Sequence, residues 1–365
     1  MTRDTKDFMS PDETTHENRK LEHLRINLQE NVQYRQSNGL ARYRFVHQAL
    51  PEINQNEISL ATEFFRKKLR APILISSMTG GAYQAERINL ALASAAQATG
   101  IAMGLGSQRA AIENNALAHT YQVRRVAPDI LLFANLGAIQ LNYAYSIDEC
   151  RRAVEMIRAD ALILHLNAIQ EAVQAGGNTN WKGLLNKIEQ VCRALDVPVI
   201  GKEVGFGISE DAARQLASAG VAALDIAGAG GTSWAAVEAY RAPSSFLREL
   251  AEAFWDWGIP TAESLIRARR GAPSLPIIAS GGIRDGVQAA KCIALGASLV
   301  GYAAPLLRLA DRGAEDVIAG IKMIEEQMRT AMFGIGAENL DALTRTHHLE
   351  RGQGSGVRDQ NGAVP

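Results

Sequence analysis

Short apolar runs and longer amphipathic segments alternate along most of the chain. From residue 72 onward, each run is followed by a glycine-rich or polar loop and then by apolar residues at helical spacing. The helical stretches "ERINLALASAAQATG" and "SEDAARQLASAGV" carry glycine near their ends, as helix termini often do. The apolar runs are "PILISSM" (72–78), "AMGLG" (102–106), "LLFANL" (131–136), "ALILHL" (161–166), "PVIGKEV" (198–204), "ALDIAG" (223–228), "PIIASGG" (276–282) and "LVGYAAP" (299–305).

Eight strand candidates alternating with helices over about 250 residues predict an α/β protein, a TIM (β/α)8 barrel with an N-terminal extension. A doubly wound open sheet is the competing architecture, but no GxGxxG fingerprint follows the first strand. We expect residues 1–71 to cap the substrate site and the barrel, and 72–335 to form the barrel. Residues 336–365 form a C-terminal tail whose glycine-rich last part we expect to be disordered. The long segment 245–269 is expected to form more than one helix.

Composition narrows the class of protein. The net charge of -1 offers no basic field for nucleic acid, and 47% hydrophobic residues are ordinary for a globular enzyme. The three cysteines are widely spaced and form no CxxC pair, which argues against a disulfide framework and a structural zinc site. The polar N-terminus is no signal peptide, and the sequence has no apolar run long enough to span a membrane. We therefore expect a cytoplasmic protein.

Ligands of barrel enzymes bind at the carboxyl ends of the strands, and polar residues recur at nearly every one of these ends. "ASGGIRDG" places two glycines after the seventh strand, so backbone N–H groups can approach an anion closely. "GYAAPLL" follows the eighth strand with small residues. Each alone reads equally well as a tight turn, but together they predict a phosphate site.

Lys202 lies in an apolar strand, where a buried ammonium needs an anionic partner. Adjacent strand residues face opposite ways, so Glu203 is a poor candidate for that partner. An anionic or electron-rich ring held over the barrel would serve. The sequence therefore predicts that Lys202 contacts a ligand.

The stretch "LILHLNAIQE" begins as a buried strand and ends in polar groups. Alternation places His165 and Asn167 on the face opposite the leucines, towards the barrel mouth, with Gln170 and Glu171 on the loop beyond. A single carboxylate such as Glu171 suits Mg²⁺, which completes its shell with water and substrate phosphate. His165 and Gln170 are then placed to hold phosphate oxygens. "ENRKLEHL" (17–24) supplies further basic residues, although by itself it reads as a solvated helix face.

Taken in order, "RKLEH", "SSMTGG", "GLGSQR", "ANLGA", "HLNAIQE", "GKEVGFG", "AGGTSW", "SGGIRDG" and "GYAAP" resemble the type 2 isopentenyl-diphosphate isomerases. The resemblance runs from about residue 19 to about residue 335. "SGGIRDG" recurs in many flavin-binding barrels, whereas "HLNAIQE" together with "RKLEH" is more discriminating. The resemblance implies an FMN-dependent TIM barrel that interconverts isopentenyl and dimethylallyl diphosphate with reduced FMN and Mg²⁺, NADPH serving to reduce the flavin. It also implies a homo-oligomer, a tetramer or an octamer.

The resemblance also implies roles for individual residues. FMN would contact Ser77, Met78, Thr79, Ser107, Asn135, Lys202, Thr232, Gly281, Gly282, Ile283, Arg284, Ala303 and Ala304. The substrate diphosphate would contact Arg19, Lys20, His23, Ser107, Gln108, Arg109, Asn167 and Gln170. His165, Gln170 and Glu171 would be catalytic, with Glu171 as the metal ligand.

Two positions depart from the family pattern, and two classes of rival function remain, a redox enzyme on the same barrel and a barrel without catalysis. "AGAGGT" has Ala227 and Ala229 where a serine and an arginine are expected, so a flavin contact from position 227 is in doubt. A 2-hydroxy-acid oxidase on the same barrel would need a histidine base paired with arginine near the sixth and seventh strand ends, and "AGAGGTSW" has neither. An inosine-monophosphate-dehydrogenase-like enzyme would need a nucleophilic loop cysteine, but all three cysteines read as helical. A non-catalytic FMN-binding barrel is the other rival, and the intact "HLNAIQE" argues against it.

Overall fold

Eight parallel strands close a barrel in the structure, a computed structural model that describes Lys20 and residues 22–352. All eight apolar runs form these strands, so the predicted TIM barrel is confirmed. In chain order the strands are β1 (Tyr43–Phe45), β2 (Thr62–Phe64), β3 (Lys67–Leu69), β4 (Ile73–Ile75), β5 (Ala102–Gly104), β6 (Leu132–Gly137), β7 (Ala161–Leu166), β8 (Val199–Glu203), β9 (Ala223–Asp225), β10 (Ile277–Ser280), β11 (Leu299–Tyr302) and β12 (Leu349–Arg351). Strands β4 to β11 follow one another around the barrel, and β11 pairs with β4 to close it.

Helices connect successive barrel strands, and others precede the first barrel strand or follow the last. They are α1 (22–29), α2 (Tyr83–Thr99), α3 (Arg109–Glu113), α4 (Ile147–Ile157), α5 (Ala168–Val173), α6 (Leu184–Ala194), α7 (Glu210–Ser218), α8 (Trp234–Arg241), α9 (Ser245–Ala253), α10 (Thr261–Gly271), α11 (Gly286–Ala294), α12 (Ala304–Ala310), α13 (Ala314–Phe333) and α14 (Leu340–Thr344). Segment 245–269 forms two helices, as predicted. The local sequence explains where α4 begins. A capping box lies there, in which the Ser146 hydroxyl accepts from a backbone N–H while Glu149 accepts from the Ser146 N–H.

Side chains alternate between two apolar layers. Ile163 and its counterparts on the other strands fill the barrel interior, whereas Leu162 and Leu164 pack outward under the helices. This confirms the predicted facing of β7. The pattern directs the next inward positions, His165 and Asn167, towards the barrel mouth.

The hairpin β2–β3 closes the amino end of the barrel. Phe64 and Leu69 join the interior cluster, and the Phe64 ring lies 6.3 Å from that of Phe133. Below them, Arg124 and Lys67 both contact the carboxylate of Asp160, at 2.8 and 3.0 Å. This floor fixes the amino ends of the strands and leaves their carboxyl ends free to form a site.

The segment before the hairpin lies partly at the opposite end. Gln33 forms a bridge with Thr232, and the Asn38 amide donates to the carbonyl oxygen of Gly282. Strand β1 pairs antiparallel with β12, so the chain beyond α14 returns to the N-terminal segment. The glycine-rich last part of the tail, which we expect to be disordered, lies outside the described residues from residue 353 onward. No helix in the described part of the chain is long and apolar enough to cross a membrane.

Candidate functional site

Two adjoining cavities open at the carboxyl ends of the barrel strands. The larger has a volume of about 490 Å³ and extends from β8 through β11 to β4. The smaller has about 150 Å³ and lies over β5, β6 and β7. Seven residues line both: Lys20, His23, Ser77, Met78, Lys202, Val204 and Trp234. A ligand in one cavity therefore meets a ligand in the other at these shared residues.

Most of the residues predicted to contact FMN line the larger cavity. They are Ser77, Met78, Thr79, Lys202, Thr232, Gly281, Gly282, Ile283, Arg284, Ala303 and Ala304. Ser107 and Asn135 line the smaller cavity instead. The sequence thus brings residues from five strand ends to one wall.

Glycines are required where the loops after β9 and β10 meet. Gly281 has φ of 106°, and a Cβ there would stand 2.0 Å from the carbonyl oxygen of Gly228. Any side chain would push the two loops apart. Among the described residues, the N–H groups of Gly282 and Ile283 have no backbone acceptor, which leaves them for an anion.

The larger cavity suits FMN on two further counts. Its volume lies within the range of cofactor pockets, about 300–1,000 Å³. The hydroxyl oxygens of Ser76 and Ser77 are buried without a hydrogen-bond partner, so a polar ligand is needed to satisfy them. The departure at Ala227 does not add to this fit: Ala227 lines the same wall with φ of 32° and presents only a methyl group where the family pattern has serine.

Lys202 finds its anionic partner in the protein itself. Its ammonium nitrogen lies 3.0 Å from a carboxylate oxygen of Asp225, a fully buried residue on β9. The Ser280 hydroxyl donates to the other oxygen of Asp225 at 2.5 Å. The sequence reasoning missed Asp225, although a charged residue in the apolar run "ALDIAG" is the same signal that drew attention to Lys202.

The smaller cavity collects the polar end of β7. His165, Asn167, Gln170 and Glu171 line it together with Ser107, Arg109 and Asn135. His165 Nδ1 lies 2.8 Å from Asn135 Oδ1. Burial, with the nearby charges of Lys20 and Lys202, lowers the pKa of His165 to about 3, so the imidazole is neutral at physiological pH.

Glu171 is held by three donors. Asn167 donates to its Oε1 at 2.9 Å, while the Gln174 amide and the Asn178 N–H donate to its Oε2 at 2.6 Å each. A carboxylate has about four lone-pair sites, so one remains on Oε1. Asn167 Oδ1 is also buried without a partner. These two oxygens fit a magnesium ion that takes its remaining ligands from water and phosphate.

Two predicted substrate residues have other contacts, and one cannot be placed. Gln108 lines neither cavity: its fully buried amide donates to the Ala153 carbonyl oxygen and accepts from the Asn135 N–H. Arg109 lines the smaller cavity, with Nε donating to Glu113 at 2.7 Å. Arg19 lies outside the described residues.

Helix α1 contributes His23 to both cavities, and His23 belongs to a second charge cluster that the sequence reasoning missed. Glu238 on α8, with its side chain 1% exposed, accepts from the Gln170 amide at 2.9 Å and from Arg241 at 2.6 Å. His23 Nε2 lies 3.1 Å from the same carboxylate. Burial lowers the pKa of His23. A glutamate within the apolar stretch "WAAVEAY" was the available signal.

A family model and two named relatives match most of the chain. The FMN-dependent dehydrogenase family matches residues 19–126 and 149–350. A Nostoc protein named isopentenyl-diphosphate delta-isomerase is 51% identical over 336 residues, covering 92% of this chain and 96% of its own. A Stutzerimonas stutzeri protein of the same name is 55% identical over 313 residues, covering 86% of this chain and 90% of its own.

Solved structures resemble the fold more distantly. A mandelate oxidase with (S)-2-phenylpropionate has a TM-score of 0.63 at 18% identity, covering 93% of this chain and 98% of its own. A lactate oxidase from Pediococcus acidilactici has the same TM-score and identity, with 91% and 87% covered. At this identity the likeness shows a shared barrel and nothing about the reaction.

Proposed function

The chain belongs to the isopentenyl-diphosphate delta-isomerase family, within the FMN-dependent dehydrogenases, and we propose that it interconverts isopentenyl and dimethylallyl diphosphate with reduced FMN and Mg²⁺. One observation carries the proposal: a cavity suited to a flavin adjoins a cavity suited to a magnesium diphosphate, with Lys202 and Trp234 lining both. A substrate held by its diphosphate in the smaller cavity extends its hydrocarbon end towards the larger one.

The residues of the smaller cavity neutralise and orient the diphosphate. Lys20 and Arg109 bring positive charge, and Gln170 brings an amide whose orientation is fixed by Glu238. Glu171 and Asn167 supply oxygen ligands for Mg²⁺. Fixing the diphosphate removes much of the freedom of the allylic end, which is how positioning lowers a barrier.

Moving a carbon–carbon double bond by one position requires a proton added at one end of the allylic unit and another removed from the far end. His165 is a poor proton source near pH 7, because its low pKa leaves it neutral. No cysteine lines either cavity among the described residues. When bound, reduced FMN supplies the proton-transfer chemistry that these side chains lack. The isomerisation has no net redox change, so NADPH is needed only to reduce the flavin.

A 2-hydroxy-acid oxidase is the principal rival, and the wall after β9 argues against it. The residues there are Ala227, Gly228 and Ala229, none of which can act as a base. A purely FMN-binding barrel is disfavoured by the second cavity. Its buried polar set is costly to keep without a ligand that satisfies it.

The proposal is tested by an anaerobic assay. The protein, with FMN, Mg²⁺ and NADPH, should convert isopentenyl diphosphate to dimethylallyl diphosphate and lose activity when the flavin is left oxidised. Glu171→Gln should lower kcat/KM by about 100-fold at limiting Mg²⁺, because a metal ligand loses its charge. Glu155→Gln, exposed on α4, is the matched control and should change little. Bound, reducible flavin without any product would contradict the isomerase proposal and favour the oxidase or the binding barrel.

The proposal also includes a homo-oligomer, a tetramer or an octamer, in the cytoplasm. The free state of Cys150, Cys192 and Cys292 supports a reducing compartment. Light scattering of the purified protein measures the subunit number directly.

A further inference from the structure

A buried charge pair and the serine that contacts it lie on three neighbouring strands beside the larger cavity. Lys202 on β8 and Asp225 on β9 lie 3.0 Å apart, with side-chain exposures of 8% and 0%. Ser280 on β10 donates to Asp225 at 2.5 Å and so fixes the carboxylate. The strand register places Lys202 and Asp225 directly opposite each other. Asp225 itself lines neither cavity.

Stability alone does not account for this pair. Taking two charges out of water costs several kcal/mol per ion, and well-packed apolar residues of similar volume are often as stable or more so. The barrel interior just below consists of such residues, including Ile200 and Ile278. The pair lies where that apolar layer ends and the ligand cavities begin.

The ammonium of Lys202 is oriented as well as neutralised. It has three N–H donors. One donates to the carbonyl oxygen of Glu203 at 3.0 Å, while the nitrogen lies 3.0 Å from Asp225 Oδ2 as an ion pair without hydrogen-bond geometry. The remaining N–H groups have no hydrogen-bond partner among the described residues, and one is available to a ligand, since Lys202 lines both cavities. A flavin there would meet a directed donor that carries little net charge.

We propose that Asp225 is a positioning residue for the flavin, which holds the Lys202 ammonium in place and cancels its charge at the ring. The inference rests on the proposed FMN site. An uncompensated cation beside a flavin stabilises its anionic reduced form and favours redox reactions. Cancelling the charge removes that bias and leaves the hydrogen bond, which suits a reaction with no net electron transfer.

The test uses the FMN-loaded full chain and two readouts other than turnover. These are the midpoint potential of the bound flavin and its affinity for sulfite, whose adduct carries negative charge on the ring. Asp225→Asn leaves the Lys202 charge uncompensated, so we expect sulfite to bind about tenfold more tightly. A tenfold gain for the reduced flavin corresponds to a potential rise of about 30 mV. Lys202→Met leaves the carboxylate uncompensated, and both readouts should move in the opposite direction.

Asp160→Asn is the matched control, because it removes a carboxylate from an ion pair at the other end of the barrel. It should lower stability without changing the potential or the sulfite affinity. Unchanged readouts in FMN-loaded Asp225→Asn would overturn the inference while leaving the isomerase proposal intact. A wild-type protein that binds no FMN would overturn both.

Should Asp225→Asn fail to fold, a crystal structure of the FMN-loaded wild-type protein decides the matter. The inference requires Lys202 Nζ to stay within hydrogen-bond distance of Asp225 when the flavin is bound. An ammonium that has turned away from Asp225 would refute it.

Discussion

Replacing Glu238 by glutamine tests how much the buried charge cluster of Glu238, His23 and Arg241 stabilises the fold. The substitution keeps the shape of the side chain and removes its charge. The carboxylate accepts from Gln170 and Arg241 and lies beside His23, so one change affects three elements, α1, α5 and α8.

The structure gives a magnitude. Burial alone would raise the pKa of Glu238, but the hydrogen bonds with His23 and Gln170 and the charge of Arg241 hold it at about 2 instead of 4.5. That difference corresponds to roughly 3 kcal/mol in favour of the ionised form. Breaking a buried ion pair from one side costs a similar amount, about 3–5 kcal/mol. For a chain of 365 residues, 3 kcal/mol lowers the melting temperature by about 4 °C.

Thermal melting followed by circular dichroism measures this change, and Glu22→Gln is its matched control. Glu22 contacts the same Arg241 at 3.1 Å, but its side chain is 52% exposed, so its loss should cost less than about 1 kcal/mol. The stability from Glu238 is present above pH 4.5 and is lost as the pH falls towards 2. The difference in melting temperature between the wild type and Glu238→Gln should therefore disappear as the pH falls from 4.5 towards 2. Equal losses in the Glu22 and Glu238 variants would refute the reasoning.

Three further predictions concern single features. The pKa of His165, followed by NMR with His165→Asn to assign its signal, should be near 3, and a value above 6 would contradict the burial argument. Because only the unfolded chain binds this proton between these values, the free energy of unfolding should fall as the pH drops from 6.5 towards 3. Gly80→Ala should lower stability by about 1–3 kcal/mol in thermal melts, because a Cβ would stand 2.1 Å from the buried Tyr121 ring. An unchanged melting temperature would show that the ring can move aside. Asp160→Asn should destabilise the protein by about 3 kcal/mol, because it leaves the buried Arg124 without its carboxylate partner. A loss below about 1 kcal/mol would show that the backbone carbonyl groups around Arg124 are sufficient hydrogen-bond partners for its guanidinium.

The barrel and one face of the site could be predicted because both follow from local periodicity. Alternation along β7 directs Ile163 into the core and His165 to the mouth, and the barrel rule places all strand ends at one edge. The two glycines after β10 are likewise visible in the sequence and predict a loop that an anion can approach closely.

The two charge clusters could not be predicted, because their members meet only in three dimensions. Asp225 contacts Lys202 through strand pairing between β8 and β9, and Glu238 joins helices that are far apart in sequence. Gln108 shows the limit of alternation. It follows β5 where the backbone turns into α3, so the strand period no longer fixes its facing, and its amide points into the wall.

The central claim, a proton shift on a magnesium diphosphate held beside a reduced flavin, is tested most directly in deuterium oxide. Isopentenyl diphosphate, Mg²⁺ and the protein with chemically reduced FMN, kept anaerobic, should yield dimethylallyl diphosphate that contains deuterium by NMR and mass spectrometry. Because the reaction has no net redox change, the bound flavin should remain reduced after many turnovers. Stoichiometric oxidation of the flavin, or unconverted and unlabelled substrate in the presence of bound reduced FMN, would contradict the account.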